Sequence, residues 1–208
     1  KFVGHYPSGY NHFSYDITEF LNKDGSENTI AVQVTNKQPS SRWYSGSGIY
    51  RDVTLSYRDK VQVAENGNHI TTPKLAQQKD GNVETQIQSK IKNTAKTLAK
   101  VFVEQQIFTK EGKAVSDLVR SVTKNLAGNE AADFKQTIFV NKPTLWTTKS
   151  YNPQLYVLKT KVYNEGQLVD VTEDTFGYRY FNWTAKDGFS LNGERMKFHG
   201  VSIHHDNG

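Results

Sequence analysis

Side chains alternate strictly in character along residues 82–93, and no other feature of the sequence constrains the fold as strongly. The odd positions from 83 to 91 carry apolar or small hydroxyl side chains, namely Val83, Thr85, Ile87, Ser89 and Ile91. The even positions carry glutamate, glutamine or lysine. A period of two places the apolar set on one face of an extended chain and the charged set on the other. The pattern therefore predicts a half-buried antiparallel β-strand.

Three later segments repeat this alternation. In each segment the residues listed lie an even number of positions apart and would share one face of a strand: Ala99, Val101, Val103 and Ile107; Phe134, Ile138 and Val140; and Tyr156, Leu158, Thr160 and Val162. Turn-forming residues separate the segments, at Asp80-Gly81, Glu111-Gly112, Ala127-Gly128-Asn129 and Asn164-Glu165-Gly166. Strands at this spacing predict an immunoglobulin-like sandwich of about seven strands over roughly 100 residues.

The segment 115–126 fits two kinds of secondary structure. Its apolar residues match one face of a helix, at Val115, Leu118, Val119, Val122 and Leu126. Three of these five are β-branched valines, and threonine and serine lie among them. Because β-branched residues favour extended backbone, we expect a strand here.

Composition excludes several classes of protein. The 208 residues contain no cysteine, which excludes disulfide frameworks, cysteine nucleophiles and thiolate metal sites. The longest apolar run is Leu155–Leu158, far too short to cross a bilayer. The net charge of +5 comes from 26 basic and 21 acidic residues, without a block of five like charges. Since nucleic-acid-binding proteins gather basic residues on one surface, we expect no nucleic-acid partner.

The two ends of the chain contain too few predicted strands to form complete domains. Residues 1–58 provide about four short strands, enough for only half of a sandwich. The last segment contains a hairpin over 189–198, with its turn at Asn192-Gly193. We therefore expect the chain to be a piece of a longer protein.

Distinctive motifs occur in all three segments. The first carries G-H-Y-P-S-G-Y at 4–10 and W-Y-S-G-S-G-I-Y-R-D-V at 43–53. The central segment carries P-T-L-W at 143–146 and P-Q-L-Y at 153–156. The final motifs are F-G-Y-R at 176–179, F-S-L-N-G at 189–193 and F-H-G-V-S-I-H-H-D at 198–206. In this order the motifs resemble glycoside hydrolase family 2, which includes β-galactosidases and β-glucuronidases.

The resemblance implies an all-β chain with three parts. Residues 1–58 resemble the end of a sugar-binding-like jelly roll, and residues 59–178 resemble an immunoglobulin-like β-sandwich. Residues 179–208 resemble the lead-in and first strand of a catalytic (β/α)8 barrel. The expected fold is thus an immunoglobulin-like sandwich flanked by part of a jelly roll and by one barrel strand. An intramolecular contact with the rest of the barrel is implied as well.

The resemblance also implies a function for the whole protein. It is expected to be a bacterial retaining exo-β-glycosidase that hydrolyses a terminal β-linked sugar without a cofactor. The motifs at 43–53 and 198–206 look closest to streptococcal-type β-galactosidases, so the expected substrate is a β-galactoside. β-Glucuronidase and β-mannosidase are the alternatives within the family. A non-catalytic carbohydrate-binding or adhesive β-sandwich, or a structural spacer, is the alternative outside it. Cytoplasm and cell surface or secretion both stay open, and the resemblance slightly favours the latter.

Two residues are predicted by the resemblance to bind the sugar. His204 occupies the family position at the carboxyl end of the first barrel strand, where side chains project into the active-site mouth. A neutral imidazole there can hydrogen-bond a sugar hydroxyl. Arg42 precedes the tryptophan motif, in a loop that reaches over the barrel in the family. No metal site is expected, because His204 and His205 are adjacent on a strand and point to opposite faces.

No catalytic residue is expected in this chain. The family's acid/base glutamate follows an asparagine, and the chain contains Asn129-Glu130 and Asn164-Glu165. Both pairs lie in predicted turns of the sandwich, so they are interpreted as turn residues. The catalytic pair is expected beyond Gly208, and the 208-residue chain alone is expected to be inactive.

Overall fold

A computed structural model describes residues 1–37, 47–149 and 153–202. It divides into two compact units. The larger unit is Leu55–Val201, and the smaller one is built around Lys1–Thr54.

The larger unit contains an antiparallel β-sandwich of two sheets. Its strands are β1 (Val61–Thr71), β2 (Asn82–Asn93), β3 (Ala99–Thr109), β4 (Val119–Arg120), β5 (Lys124–Leu126), β6 (Ala131–Asn141), β7 (Tyr156–Asn164) and β8 (Gln167–Phe176). One sheet has the order β1-β2-β6, and the other has the order β4-β3-β7-β8 with β5 also paired to β3. Two antiparallel sheets with this connectivity form an immunoglobulin-like sandwich. The prediction of an all-β fold is confirmed.

Helical structure is confined to one turn. The only helix among the described residues is α1 (Leu75–Gln78), which lies between β1 and β2 and buries Leu75. Four residues are too few for a helical period to show in the sequence.

The predicted strands agree closely with the observed ones. β2 spans Asn82–Asn93, and burial alternates with exposure along its whole length. The ambiguous segment is extended, as expected, but it is divided into the short strands β4 and β5. Between them, the Ser121 N–H donates to the carbonyl oxygen of Val103 on β3 at 2.8 Å, and Ser121 Oγ accepts from the Val103 N–H at 2.9 Å. The side-chain bond replaces part of the regular ladder, which explains the interruption.

The core contains two apolar clusters. The first consists of Val61, Val63, Ile91, Ala99, Val101, Val103, Leu126, Phe134 and Val162. The second consists of Leu75, Val83, Ile87, Ile107, Ile138, Val140, Tyr156, Leu158 and Tyr178. Four strands contribute to both clusters, β2, β3, β6 and β7, and each places one buried polar residue between its two contributions, namely Ser89, Gln105, Gln136 and Thr160. We call these four residues the polar layer.

A large bulge in β1 brings a further side chain to the polar layer. Val63 pairs with Ile91 and Asn68 with Ser89, so β1 has three extra residues between these pairs. Asn68 accepts a hydrogen bond from Ser89 Oγ at 2.5 Å and donates to Asp174 Oδ2 at 2.6 Å. The bulge requires glycine at 67, because a Cβ there would lie 2.7 Å from the carbonyl oxygen of Ala64.

A third antiparallel sheet follows the sandwich. It consists of β9 (Phe181–Thr184), β10 (Gly188–Leu191) and β11 (Glu194–Arg195), with β10 in the middle. Asn192 and Gly193 connect β10 to β11 with φ values of 53° and 84°. Two left-handed residues of the type Asn-Gly are typical of a tight hairpin turn. The predicted hairpin is confirmed, with strands shorter than the expected 189–198.

The smaller unit differs from expectation. Its described residues, 1–37 and 47–54, contain no hydrogen-bonded strand, although about four short strands were predicted for 1–58. Ile30, Val32 and Val34 show the alternation of a strand, yet their side chains are 66%, 55% and 47% exposed. A strand requires a neighbouring chain to complete its ladder of hydrogen bonds. The assignment of 1–58 to part of a jelly roll stays a prediction.

A matched pair of leucines tests the assignment of the core. Leu158 is fully buried on β7, whereas Leu168 on the neighbouring β8 is 50% exposed. We expect Leu158→Ala to lower the free energy of unfolding by about 2–5 kcal/mol, and Leu168→Ala to lower it by less than about 1 kcal/mol. Urea unfolding of the 208-residue chain measures both values. Equal losses would contradict the assignment.

Candidate functional site

The two predicted sugar-binding residues cannot be placed. His204 lies in 203–208 and Arg42 lies in 38–46, and both segments are outside the described residues. Their proposed roles therefore stay predictions. Within the larger unit, residues of three motifs do come together, at the end of the sandwich where β8 leads into β9.

Trp146 lies at the centre of this region. Its backbone N–H donates to the carbonyl oxygen of Tyr178 at 2.8 Å, and its carbonyl oxygen accepts from Asn192 Nδ2 at 2.8 Å. Trp146 thus joins two motifs that lie 32 and 46 residues further along the chain, through its two backbone groups. We call Trp146, Gly177, Tyr178, Arg179 and Asn192 the Trp146 junction.

The Trp146 ring is enclosed by two residues of the F-G-Y-R motif. A Cβ at Gly177 would lie 2.9 Å from Trp146 Cβ, so the close approach of the two chains requires glycine. The Arg179 guanidinium lies 4.7 Å from the ring centre, within the range of a cation–π contact. Trp146 is partly buried at the end of the sandwich and does not belong to either core cluster.

Tyr178 connects the junction to the core. Its side chain is fully buried, and its hydroxyl shares a 2.9 Å hydrogen bond with Thr85 Oγ1 of β2. Burial raises the pKa of the Tyr178 phenol well above its usual range. The ring meets that of Tyr156 edge to face at 5.0 Å, and the Tyr156 hydroxyl accepts from the Thr144 N–H at 2.9 Å. Through Tyr178 and Tyr156, the second apolar cluster packs directly against the junction.

Asn192 makes three hydrogen bonds that fix the β10–β11 turn. Its side-chain Nδ2 donates to Trp146, as described above. Its backbone N–H donates to the carbonyl oxygen of Tyr180 at 2.8 Å, and its Oδ1 accepts from the Tyr180 N–H at 3.2 Å. The left-handed conformation of Asn192 directs the side chain back toward the sandwich. Sequence reasoning identified this residue as part of a turn and of the F-S-L-N-G motif, and nothing in that motif indicates its partners.

The two asparagine–glutamate pairs lie in turns, as predicted. Asn129 and Glu165 have left-handed φ values of 61° and 50°. Glu130 Oε2 accepts from the backbone N–H of Ala127 at 2.6 Å, which is a local turn contact. Both pairs thus have the turn conformation that their interpretation as turn residues requires.

The Trp146 junction is built from hydrogen bonds, one close approach of two chain segments and one cation–π contact. No group of three or more His, Cys, Asp or Glu side chains in residues 1–37, 47–149 and 153–202 could hold a metal ion. In the same residues no helix is long and apolar enough to span a membrane. The Trp146 junction contains no carboxylate, and its hydrogen bonds fix the backbone where β8 leads to β9.

Comparison with known proteins agrees with the order of the motifs. The sequence model of the family described as Glycosyl hydrolases family 2 matches residues 67–179. Beta-galactosidase BoGH2A of Bacteroides ovatus is 37% identical over 207 residues, which are 99% of this chain and 23% of that protein.

Two crystal structures are similar over nearly the whole chain. A glycosyl hydrolase family 2 member from Bacteroides cellulosilyticus superposes with a TM-score of 0.87 at 33% identity, over 99% of this chain and 27% of that one. The β-glucuronidase of Bacteroides uniformis superposes with a TM-score of 0.76 at 27% identity, over 97% and 25%. The chain thus spans about a quarter of the length of the proteins that it resembles.

Substitutions of Asn192 test the junction. Asn192→Ala removes two side-chain hydrogen bonds and places alanine in a left-handed conformation. We expect it to destabilise the β10–β11 turn by about 1–3 kcal/mol. Amide hydrogen exchange of Tyr180, whose N–H donates to Asn192 Oδ1, should accelerate accordingly.

Two variants serve as controls. Asn192→Gly keeps the left-handed backbone accessible and loses only the side-chain bonds, so its effect should be smaller than that of alanine. Asn182→Ala changes an exposed residue of β9 and should leave Tyr180 exchange unaltered. Unchanged Tyr180 exchange in Asn192→Ala would show that the turn does not depend on these bonds.

Proposed function

The chain belongs to glycosyl hydrolase family 2, and we propose that it is the supporting part of a retaining exo-β-glycosidase that releases a terminal β-linked sugar. One observation carries this role. Three of the family motifs converge on the Trp146 junction, which holds the β9–β10–β11 sheet against the sandwich by direct hydrogen bonds. Residues that lead into a catalytic barrel would need such a fixed starting point.

The reaction itself requires groups that this chain does not supply. Retaining hydrolysis uses two carboxyl groups about 5–5.5 Å apart, one as nucleophile and one as acid and then base. The glutamates that follow asparagine are turn residues here. We infer that the catalytic pair belongs to the part of the protein outside these 208 residues, which span about a quarter of the relatives' length.

Galactose is the sugar we propose. The Bacteroides ovatus β-galactosidase is 37% identical to this chain, and a putative β-glucuronidase of Formosa agariphila is 36% identical. These identities do not separate the two substrates, so the proposal of galactose rests on the resemblance of the motifs at 43–53 and 198–206 to those of β-galactosidases. The streptococcal-type subtype stays a prediction.

His204 and Arg42 are the sugar-binding residues of this proposal. His204 would lie at the carboxyl end of the first barrel strand, which is the end of a (β/α)8 barrel that carries the active site. Its imidazole would hydrogen-bond a sugar hydroxyl, and the Arg42 guanidinium offers five donors to further hydroxyls.

An exposed aromatic face supports the proposed contact with the barrel. We use this name for Phe181, Trp183, Phe189 and Phe198, whose ring centres lie 4.6–6.4 Å from their neighbours. Phe181, Trp183 and Phe198 are each more than 60% exposed. A contiguous aromatic surface of this kind marks a contact site. The proposed occupant is the remainder of the same polypeptide.

Substitution of His204 in the complete protein tests the proposal. His204→Ala should lower kcat/KM for an aryl β-galactoside by about 30- to 1,000-fold, equivalent to about 2–4 kcal/mol of lost transition-state binding. The fold should be unchanged. His69→Ala removes an exposed imidazole from β1 of the sandwich and should leave the kinetics normal.

The 208-residue chain alone should not hydrolyse the same substrate above background. Turnover that persists through purification would overturn the proposal that the catalytic pair lies elsewhere. A complete protein that binds sugars without hydrolysing aryl galactosides, glucuronides or mannosides would favour the non-catalytic alternative.

A further inference from the structure

Asparagine is followed by glycine at 66–67, 192–193 and 207–208. The last of these pairs lies outside the described residues. Asparagine before glycine is chemically labile, because the glycine nitrogen can attack the carbon of the side-chain amide without a Cβ of its own residue in the way. The two described pairs have the same dipeptide in different surroundings, so they show how the fold affects this reaction.

Both asparagines have the same backbone conformation. Asn66 and Asn192 are left-handed, with φ values of 51° and 53°. Attack requires the asparagine side chain and the following peptide group to turn toward each other, and the glycine that follows permits this rotation in both pairs. The backbone of the asparagines therefore does not distinguish the two sites.

The side chain of Asn192 is held in place. Its Nδ2 donates to the carbonyl oxygen of Trp146 at 2.8 Å, and its Oδ1 accepts from the Tyr180 N–H at 3.2 Å. Both polar atoms of the amide are engaged, so two hydrogen bonds must break before the amide can turn toward the Gly193 nitrogen. Their loss is costly enough to slow the reaction by about tenfold or more.

The side chain of Asn66 is not held in this way. Asn66 is exposed and lies in the bulge of β1, between the paired residues Val63 and Asn68. Its side chain forms no hydrogen bond with any residue that the structure describes. The Cα of Gly67 is confined by the backbone of Ala64, but rotation of the 66–67 peptide group leaves both Cα atoms in place. No side-chain bond therefore has to break before attack.

We propose that Asn66 deamidates spontaneously in the folded chain and that this modification weakens the β1 bulge, whereas the Trp146 junction protects Asn192. The Gly67 nitrogen forms a bond to Asn66 Cγ as the Cγ–Nδ2 bond breaks, and the proton of that nitrogen leaves with the side-chain nitrogen as ammonia. Water then opens the resulting succinimide at either carbonyl, which gives aspartate or isoaspartate. The modification site is separate from the proposed sugar hydrolysis.

The modification would reach the polar layer through Asn68. In isoaspartate the backbone passes through the Cβ of residue 66, which lengthens the chain two residues before Asn68. Asn68 bonds to Ser89 Oγ at 2.5 Å and to Asp174 Oδ2 at 2.6 Å. Polar groups that are drawn away from their partners inside a protein destabilise the fold. The isoaspartate form should therefore be less stable than the unmodified chain.

Incubation of the 208-residue chain in mildly alkaline buffer, followed by proteolysis and mass spectrometry, tests the proposal. Residue 66 should convert to aspartate and isoaspartate at least about tenfold faster than residue 192. In urea that unfolds the chain, the two rates should agree within about threefold, because the fold no longer separates identical dipeptides. The isoaspartate form, isolated by its added negative charge, should unfold at a lower urea concentration than the fresh chain.

Asn66→Gly is the matched control. Glycine keeps the left-handed conformation accessible and removes the reactive amide. After the same incubation, this variant should unfold at the same urea concentration as its fresh sample. A loss of stability on incubation that is confined to the chain with Asn66 assigns the effect to this residue.

Three results would overturn the proposal. The first is conversion of residue 192 as fast as residue 66 in the folded chain, which means that the hydrogen bonds of Asn192 do not protect it. The second is conversion of residue 66 only in the unfolded chain, which means that the bulge protects Asn66 as well. The third is an isoaspartate form as stable as the fresh chain, which removes the effect on the bulge. None of these depends on hydrolysis of a sugar, so they leave the proposed function untouched.

Discussion

The side-chain amide of Gln105 joins the two sheets through the middle of the core, and the rest of the larger unit is arranged around it. Its Nε2 donates to Ser89 Oγ of the facing sheet and to Thr160 Oγ1 of its own sheet, both at 2.9 Å. A buried amide that loses its partners is costly, so the sheets cannot slide past one another without penalty. A shift of one residue would also turn every apolar side chain of a strand outward. The polar layer therefore fixes the register in which the two apolar clusters form.

The second of these clusters determines what the sandwich can support. It contains Tyr178, whose backbone carbonyl accepts from Trp146 and whose hydroxyl bonds to Thr85. Through Trp146 the same contacts reach Asn192 and the β10–β11 turn. A continuous series of hydrogen bonds thus runs from the core to the sheet that carries the exposed aromatic face. In a family 2 glycosidase, such a series would set the direction in which the chain enters the catalytic barrel.

The sequence predicts regular features of this structure better than local irregularities. The alternation over β2 defines that strand to the residue, because both of its faces have distinct environments. The bulge in β1 was missed, because its three extra residues break the period of two. The sequence sign of the bulge is Gly67, where a Cβ would clash with the backbone of Ala64. Gln136 interrupts an otherwise apolar set on the inward face of β6, a signal that could have pointed to the polar layer. The roles of His204 and Arg42 came from resemblance alone, because pocket geometry depends on parts of the protein that local patterns do not encode.

Native-state hydrogen exchange of the 208-residue chain tests most directly whether the junction and the sandwich form one support. Trp146 belongs to the junction, and the Met196 N–H donates to Phe189 of β10. The account predicts that the free energies of opening at these two amides lie within about 1 kcal/mol of those at the core amides of Val103 and Leu158. All four would then exchange through the same cooperative unfolding. Opening of Trp146 and Met196 at several kcal/mol less than the core amides would contradict the account, because the β9–β10–β11 sheet would then move independently of the sandwich.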